Sequence, residues 1–220
     1  DWKEYNIHAQ KFDTNGKSLW GESFVQTSSV MIKPHLVHTA TLLGSGKVLI
    51  AGGYTGSEAL STAEIYDPAA NTFSAITAGM AARRTSHTAT LLGNGKVLIA
   101  GGSNITTWLS TAEIYNPAAN NFSAISGTMS FRRQNYIAVL LNNGKVLLAG
   151  GDNSTVYSST ADLYDPVANT FTVTANSMSN GRNLFTATLL NNGKVLIAGG
   201  YDGSVYLSQA ELFDPSTNTF

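Results

Sequence analysis

Polar and apolar positions alternate over short stretches of this chain and never settle into a helical period. From His38 the order is His-Thr-Ala-Thr-Leu-Leu, and the same register returns at His87 to Leu92, Tyr136 to Leu141 and Phe185 to Leu190. Alternation over about four to eight residues predicts a strand with one buried face. A second pattern follows each time, apolar without a break: Val48 to Ala51, Val97 to Ala100, Val146 to Ala149 and Val195 to Ala198. Such runs predict strands covered on both faces. Between the two patterns stand Gly-Ser-Gly, Gly-Asn-Gly or Asn-Asn-Gly, hairpin turns whose last glycine supplies a positive φ. A third strand, Ala63-Glu-Ile-Tyr66 and its equivalents, closes on a proline, which has no amide for a ladder. A fourth opens at Asn71-Thr-Phe73.

These strands come in a repeating order. The sequence Gly-Lys-Val-Leu-Ile-Ala-Gly-Gly starts at Gly46, Gly95 and Gly193, with one Ile-to-Leu change at the copy from Gly144, so the period is 49 residues. A fixed period near 50 marks a repeat architecture. A lone four-stranded sheet would leave its aromatics wet, each able to stabilise by about 1.5–3 kcal/mol when buried, so the units must stack on one another. The expected fold is an all-β propeller of four 49-residue, four-stranded blades over residues 31–220. Residues 1–30 read as strand, turn and strand, with Phe12-Asp13 and Trp20 in the places of the third- and fourth-strand aromatics, and predict the second half of a further blade. Four units and a half-blade leave both ends mid-blade, which points to part of a larger ring. An open arc closed by a partner is the other expectation, and its open blade edges offer a surface for self-association.

The Gly-Gly ending the second strand, the Glu-x-Tyr-Asp-Pro of the third, the aromatic opening the fourth and the Arg-x-x-His before the first resemble kelch repeats over roughly Met31 to Phe220. The chain departs from that family at Phe73, Phe122, Phe171 and Phe220, where tryptophan is commoner. Its wording is most similar to bacterial secreted kelch proteins and to the kelch domain of galactose-oxidase-like proteins. The resemblance implies six or seven blades around a central channel, with binding surfaces built from loops.

Composition narrows the function classes. A net charge of −1 with few charged residues does not supply the concentrated basic surface that nucleic acid requires. No apolar run is long enough for a transmembrane helix. The chain has no cysteine, so the cross-linked Cys-Tyr of galactose-oxidase-like radical copper enzymes is absent from these residues. No histidine pair has zinc-site spacing, and no cofactor is expected. Charge-poor, Thr/Asn-rich composition, together with the resemblance, points to bacterial export to the cell surface or beyond.

Candidate chemistry follows the repeat. His35, Arg84, Arg133 and Arg182 share one position before the first strand, with Arg83 and Arg132 preceding two of them. If the resemblance extends to geometry, they ring the channel mouth and suit the carboxylate of an acidic peptide or sugar. Their other reading is structural, as donors to loop carbonyls or an acid. Glu64, Glu113, Asp162 and Glu211 recur once per unit, as packing acids do and a single catalytic acid would not. The loops between second and third strands vary most and offer Tyr54, Trp108, Asp152, Tyr201 and Asp202 as contacts, with Trp108 as the exposed anchor. The combined expectation is a non-catalytic module binding protein or glycan. A sialic-acid mutarotase-like enzyme and a structural element of an extracellular assembly are the alternatives.

Overall fold

The computed structural model describes residues 27–220, which contain strands, turns and no helix. The half-blade expected over residues 1–30 therefore lies almost wholly outside the described residues. Four antiparallel sheets follow one another along the chain. The first has the order β1 (Thr39–Leu42), β2 (Val48–Ala51), β3 (Ala63–Asp67), β4 (Thr72–Ala75). The second is β5 (Thr88–Leu91), β6 (Val97–Ala100), β7 (Ala112–Asn116), β8 (Asn121–Ala124). The third is β9 (Ile137–Leu140), β10 (Val146–Ala149), β11 (Ala161–Asp165), β12 (Thr170–Val173). The fourth has three strands, β13 (Thr186–Leu189), β14 (Val195–Ala198) and β15 (Ala210–Phe213). The registers are superimposable: Val48 faces Tyr66, Val97 faces Tyr115, Val146 faces Tyr164 and Val195 faces Phe213.

The apolar second strands owe their composition to double burial. Val97 and Ile99 of β6 pack with Leu49, Ala51 and Met80 of the first unit. Leu98 and Ala100, on the opposite face, pack with Val146 and Leu148 of β10. Leu147 and Ala149 then face Val195 and Ile197 of β14. Alternate residues thus serve two inter-sheet cores, so neither face can be polar. The first strands of successive sheets are neighbours, β1 with β5, β5 with β9 and β9 with β13, which arrays the sheets around a common inner side.

A flat ring from the second, third and fourth sheets enters the sheet before it. Tyr136 reaches back to donate to the Ala100 carbonyl at 2.6 Å and meets Thr88 Oγ1 at 2.8 Å, while His87 Nε2 meets Thr39 Oγ1 at 2.9 Å. The ring lies where a side chain on the first glycine of the preceding Gly-Gly would be. A Cβ at Gly101 would come within 2.9 Å of Tyr136, and one at Gly150 within 2.6 Å of Phe185. Burial pushes the Tyr136 phenol up to about 12 and the His87 imidazole down to about 3, with Arg84 and then His38 adding to the second shift.

Candidate functional site

The repeated Arg/His position and the repeated acid form one clamp per unit. Glu113 of β7 accepts the amides of Ala81 at 2.7 Å and Ala82 at 3.2 Å, both in the segment arriving from β4. Arg84, in the same segment, donates to Glu113 at 3.0 Å and to the carbonyls of Gly101 at 3.0 Å and Thr111 at 2.9 Å. Arg133 repeats this with Asp162 at 2.7 Å and the carbonyls of Gly150 and Thr160, both at 3.0 Å. Arg182 repeats it with Glu211 at 2.6 Å and the Gly199 carbonyl at 3.0 Å. In the first unit His35 spans the same two sites, with Nδ1 2.6 Å from the Gly52 carbonyl and Nε2 3.3 Å from Glu64.

Arg84, Arg133 and Arg182 have 0 % fractional exposure, and His35 is buried. The charge expected at a channel mouth is therefore in the interior. The fork that suits a ligand carboxylate is filled by the chain's own carboxylate and carbonyls, and a ligand could reach it only by dismantling the clamp. Removing one partner of such a pair strands the other charge, at a cost of about 3–5 kcal/mol. Arg83 and Arg132 are exposed, with Arg83 paired to Glu58 and Arg132 without an ion-pair partner among the described residues.

The clamp fixes one end of every sheet. The residue after each Arg or His pairs, backbone to backbone, with the residue after Gly-Gly: Leu36 with Tyr54, Thr85 with Ser103, Gln134 with Asp152, Asn183 with Tyr201. The loops from β4-type to β1-type strands and those between second and third strands therefore share one end of the array. The expected loop contacts lie here, but most are turned inward. Asp152 is buried and accepts Asn183 Nδ2 at 2.7 Å, Asn135 Nδ2 at 3.1 Å and Gln134 Nε2 at 3.3 Å, which ties the third unit to the fourth. Trp108 is half-buried with its indole nitrogen enclosed, not an exposed anchor, because it pairs back onto Ser103 within its own loop. The Tyr54 hydroxyl donates to the Gly56 carbonyl at 2.6 Å. Tyr201 is half-buried between Tyr157 and Tyr206, at ring distances of 5.5 and 5.3 Å. Asp202 accepts the amides of Ser204 and Val205, both at 2.8 Å, which hold its carboxyl below the usual carboxylate range.

Beside the exposed Arg83, Arg132 and Tyr206, this end leaves aliphatic side chains open. Val37, Ser86, Asn135 and Leu184 occupy one repeated position with φ of 53°, 53°, 51° and 52°. Val37 is 59 % and Leu184 73 % exposed. The tips of the second-to-third-strand loops add Ile105, Val156 and Val205, all exposed.

The Kelch motif matches residues 36–78, 135–178 and 184–220, more than half of the chain. The chain belongs to the kelch-repeat family. No curated protein matches it. The second kelch unit, outside the matched residues, has the same four strands and the same clamp as its neighbours. Kelch repeats serve generally as protein-interaction modules, and the loop end of this chain exposes these apolar side chains alongside Arg83, Arg132 and Tyr206. Sequence reasoning missed the apolar ones because it sought charge and aromatics. Their signal was variation at a fixed position, Val, Ser, Asn and Leu, inside units that otherwise hardly differ. Among the described residues no group of three or more His, Cys, Asp or Glu could hold a metal ion, and no helix is long and apolar enough to cross a membrane.

Proposed function

We propose that this kelch segment is a non-catalytic module that binds a protein through the loop end of its sheets, on the surface formed by Val37, Leu184, Ile105, Val156 and Val205. The observation that carries this is the exposure of large aliphatic side chains there, three of which, Val37, Ile105 and Leu184, stand on backbone held in the left-handed region. Valine and leucine are poorly suited to that conformation, whereas asparagine and aspartate adopt it readily. Their retention at a strained, wet position is accounted for by contact with a partner, and exposed apolar patches of this kind mark interaction surfaces. The mutarotase-like alternative loses the arginine ring on which it rested, since those guanidinium groups are enclosed. Closure into a six- or seven-bladed ring and a bacterial extracellular setting belong to the same proposal, and their support is the family resemblance and the charge-poor composition.

The double variant Val37→Asn, Leu184→Asn should fold at least as well as the parent, because asparagine relieves the backbone strain. Affinity capture from culture medium and cell envelope of the source, followed by identification of bound proteins, should show partners lost from this variant and retained by Leu42→Asn, a control outside the loop end. Equal capture by all three would reject the loop end as the binding surface, and retention on a glycan array in place of any protein would reject the protein partner.

A further inference from the structure

At the opposite end of the sheets each unit has a lysine in the turn between its first two strands, and three of the four have an acid at the close of the third. Three of these pairs are made: Lys47 with Asp67 at 2.9 Å, Lys145 with Asp165 at 3.0 Å and Lys194 with Asp214 at 3.0 Å. The second unit has Lys96, but its third strand closes on Asn116. The Asn116 side-chain oxygen still accepts the Ala118 amide at 3.0 Å, so the turn keeps its shape while the carboxylate is gone. Lys96 is exposed and has no carboxylate partner among the described residues.

Lys96 lines a groove of about 230 Å³ between the second and third sheets, with Asn94, Ser123, Tyr164 and Asn169 among its walls. The first and second sheets enclose the equivalent groove, about 210 Å³, lined by Ser45, Lys47, Ser74, Tyr115 and Asn120. The two grooves match position for position and differ in the charge they present. Lys47 is neutralised from its own sheet, whereas Lys96 is not, and Asp165 on the facing sheet is already held by Lys145 and by the amides of Val167 and Ala168.

We infer that the groove between the second and third sheets is a carboxylate-binding site, in which Lys96 takes the anion that Asp67, Asp165 and Asp214 supply in the other units. The ligand class is a carboxylate with room for a short polar stem, from an acidic peptide segment or from a small dicarboxylate. The hydroxyl of Ser123 and the amide of Asn94 stand in the same groove as further hydrogen-bonding groups for it. This site is at the far end from the apolar loop surface and does not depend on it.

The test is an NMR titration of the 220-residue chain with two probes, acetyl-tetraglutamate amide and succinate, using acetyl-tetraglutamine amide as the neutral control. The ε-methylene resonance of Lys96 should move with one or both acidic probes at millimolar concentration and remain still with the neutral one. A response to the peptide alone assigns the source to a peptide segment, and a response to succinate assigns the site to the carboxylate itself. Asn116→Asp restores the pair that the other three units carry, and it should weaken the response at least about tenfold. In Lys96→Gln the shifts that the acidic probes cause at the backbone amides of Asn94 and Ser123 should fall likewise, while Lys47→Gln should change nothing. No movement of Lys96, or an undiminished response in Asn116→Asp, or an equal loss in Lys47→Gln, would overturn the assignment.

Discussion

His87, Tyr136 and Phe185 occupy one position in successive units, and their differences isolate what a titratable ring costs there. All three sit against a glycine of the preceding sheet. Tyr136 and Phe185 are uncharged at any pH near neutrality, whereas His87 must stay neutral inside a site whose burial drives it to about 3. An unfolded histidine titrates near 6.5, so between about pH 6.5 and 3 the unfolded chain takes up a proton that the folded chain refuses. Stability is therefore lost as pH falls through that window. At about pH 5 the loss from this one residue should be about 2 kcal/mol relative to neutrality. His87→Phe, which copies the fourth unit, should remove that part of the slope. Urea melts of parent and variant at both pH values measure it, and parallel slopes would show that His87 is hydrated or paired in solution.

At the scale of the element, the strands were legible because their causes are local. Alternation gave β1, β5, β9 and β13 to within a residue or two, and unbroken apolar runs gave β2, β6, β10 and β14 with both faces covered, the last less completely. The expected turn glycines Gly46, Gly95, Gly144 and Gly193 do have φ near +80°. What was not legible comes from other sheets or other strands. The Gly-Gly pair announces itself in the sequence, but that its first glycine is a socket for a ring 35 residues later is set by stacking between units. The arginine column was visible, yet its burial depends on carbonyls of Gly101 and Thr111 that no local pattern brings near. The socket can be measured against an internal control. Gly150→Ala would push a methyl into Phe185 and the Arg182 carbonyl at 2.6–2.7 Å, on a backbone with φ of 67°. Gly199→Ala has a similar φ, 71°, but meets only the Leu207 carbonyl at 3.6 Å. Backbone strain alone should cost Gly199→Ala about 1–2 kcal/mol. Gly150→Ala should cost about 1–3 kcal/mol more through overpacking. Equal losses in chemical denaturation would mean that the ring does not occupy the socket.

For the whole molecule, the question is whether four sheets behave as four domains or as one. Each sheet is built from strands of four or five residues, too little surface to form a core of its own. The apolar clusters lie between sheets, and β6 and β10 each contribute opposite faces to two of them. The clamps add to this continuity, since each anchors the segment leaving one sheet onto the third strand of the next. In a linear array, stability is a sum of unit terms and neighbour terms, and cooperativity follows when the unit terms are unfavourable and the neighbour terms carry the fold. The buried apolar clusters and the clamps both place favourable energy at the junctions. Loss of the second sheet strips one face from both the first and the third, so no subset of sheets survives with its core intact. The 220-residue chain should accordingly melt in one transition, with calorimetric and van't Hoff enthalpies in a ratio close to one. Two resolved endotherms would instead locate a junction weak enough to part, and substitutions at Gly52, Gly101 and Gly150 would then show which of the three it is.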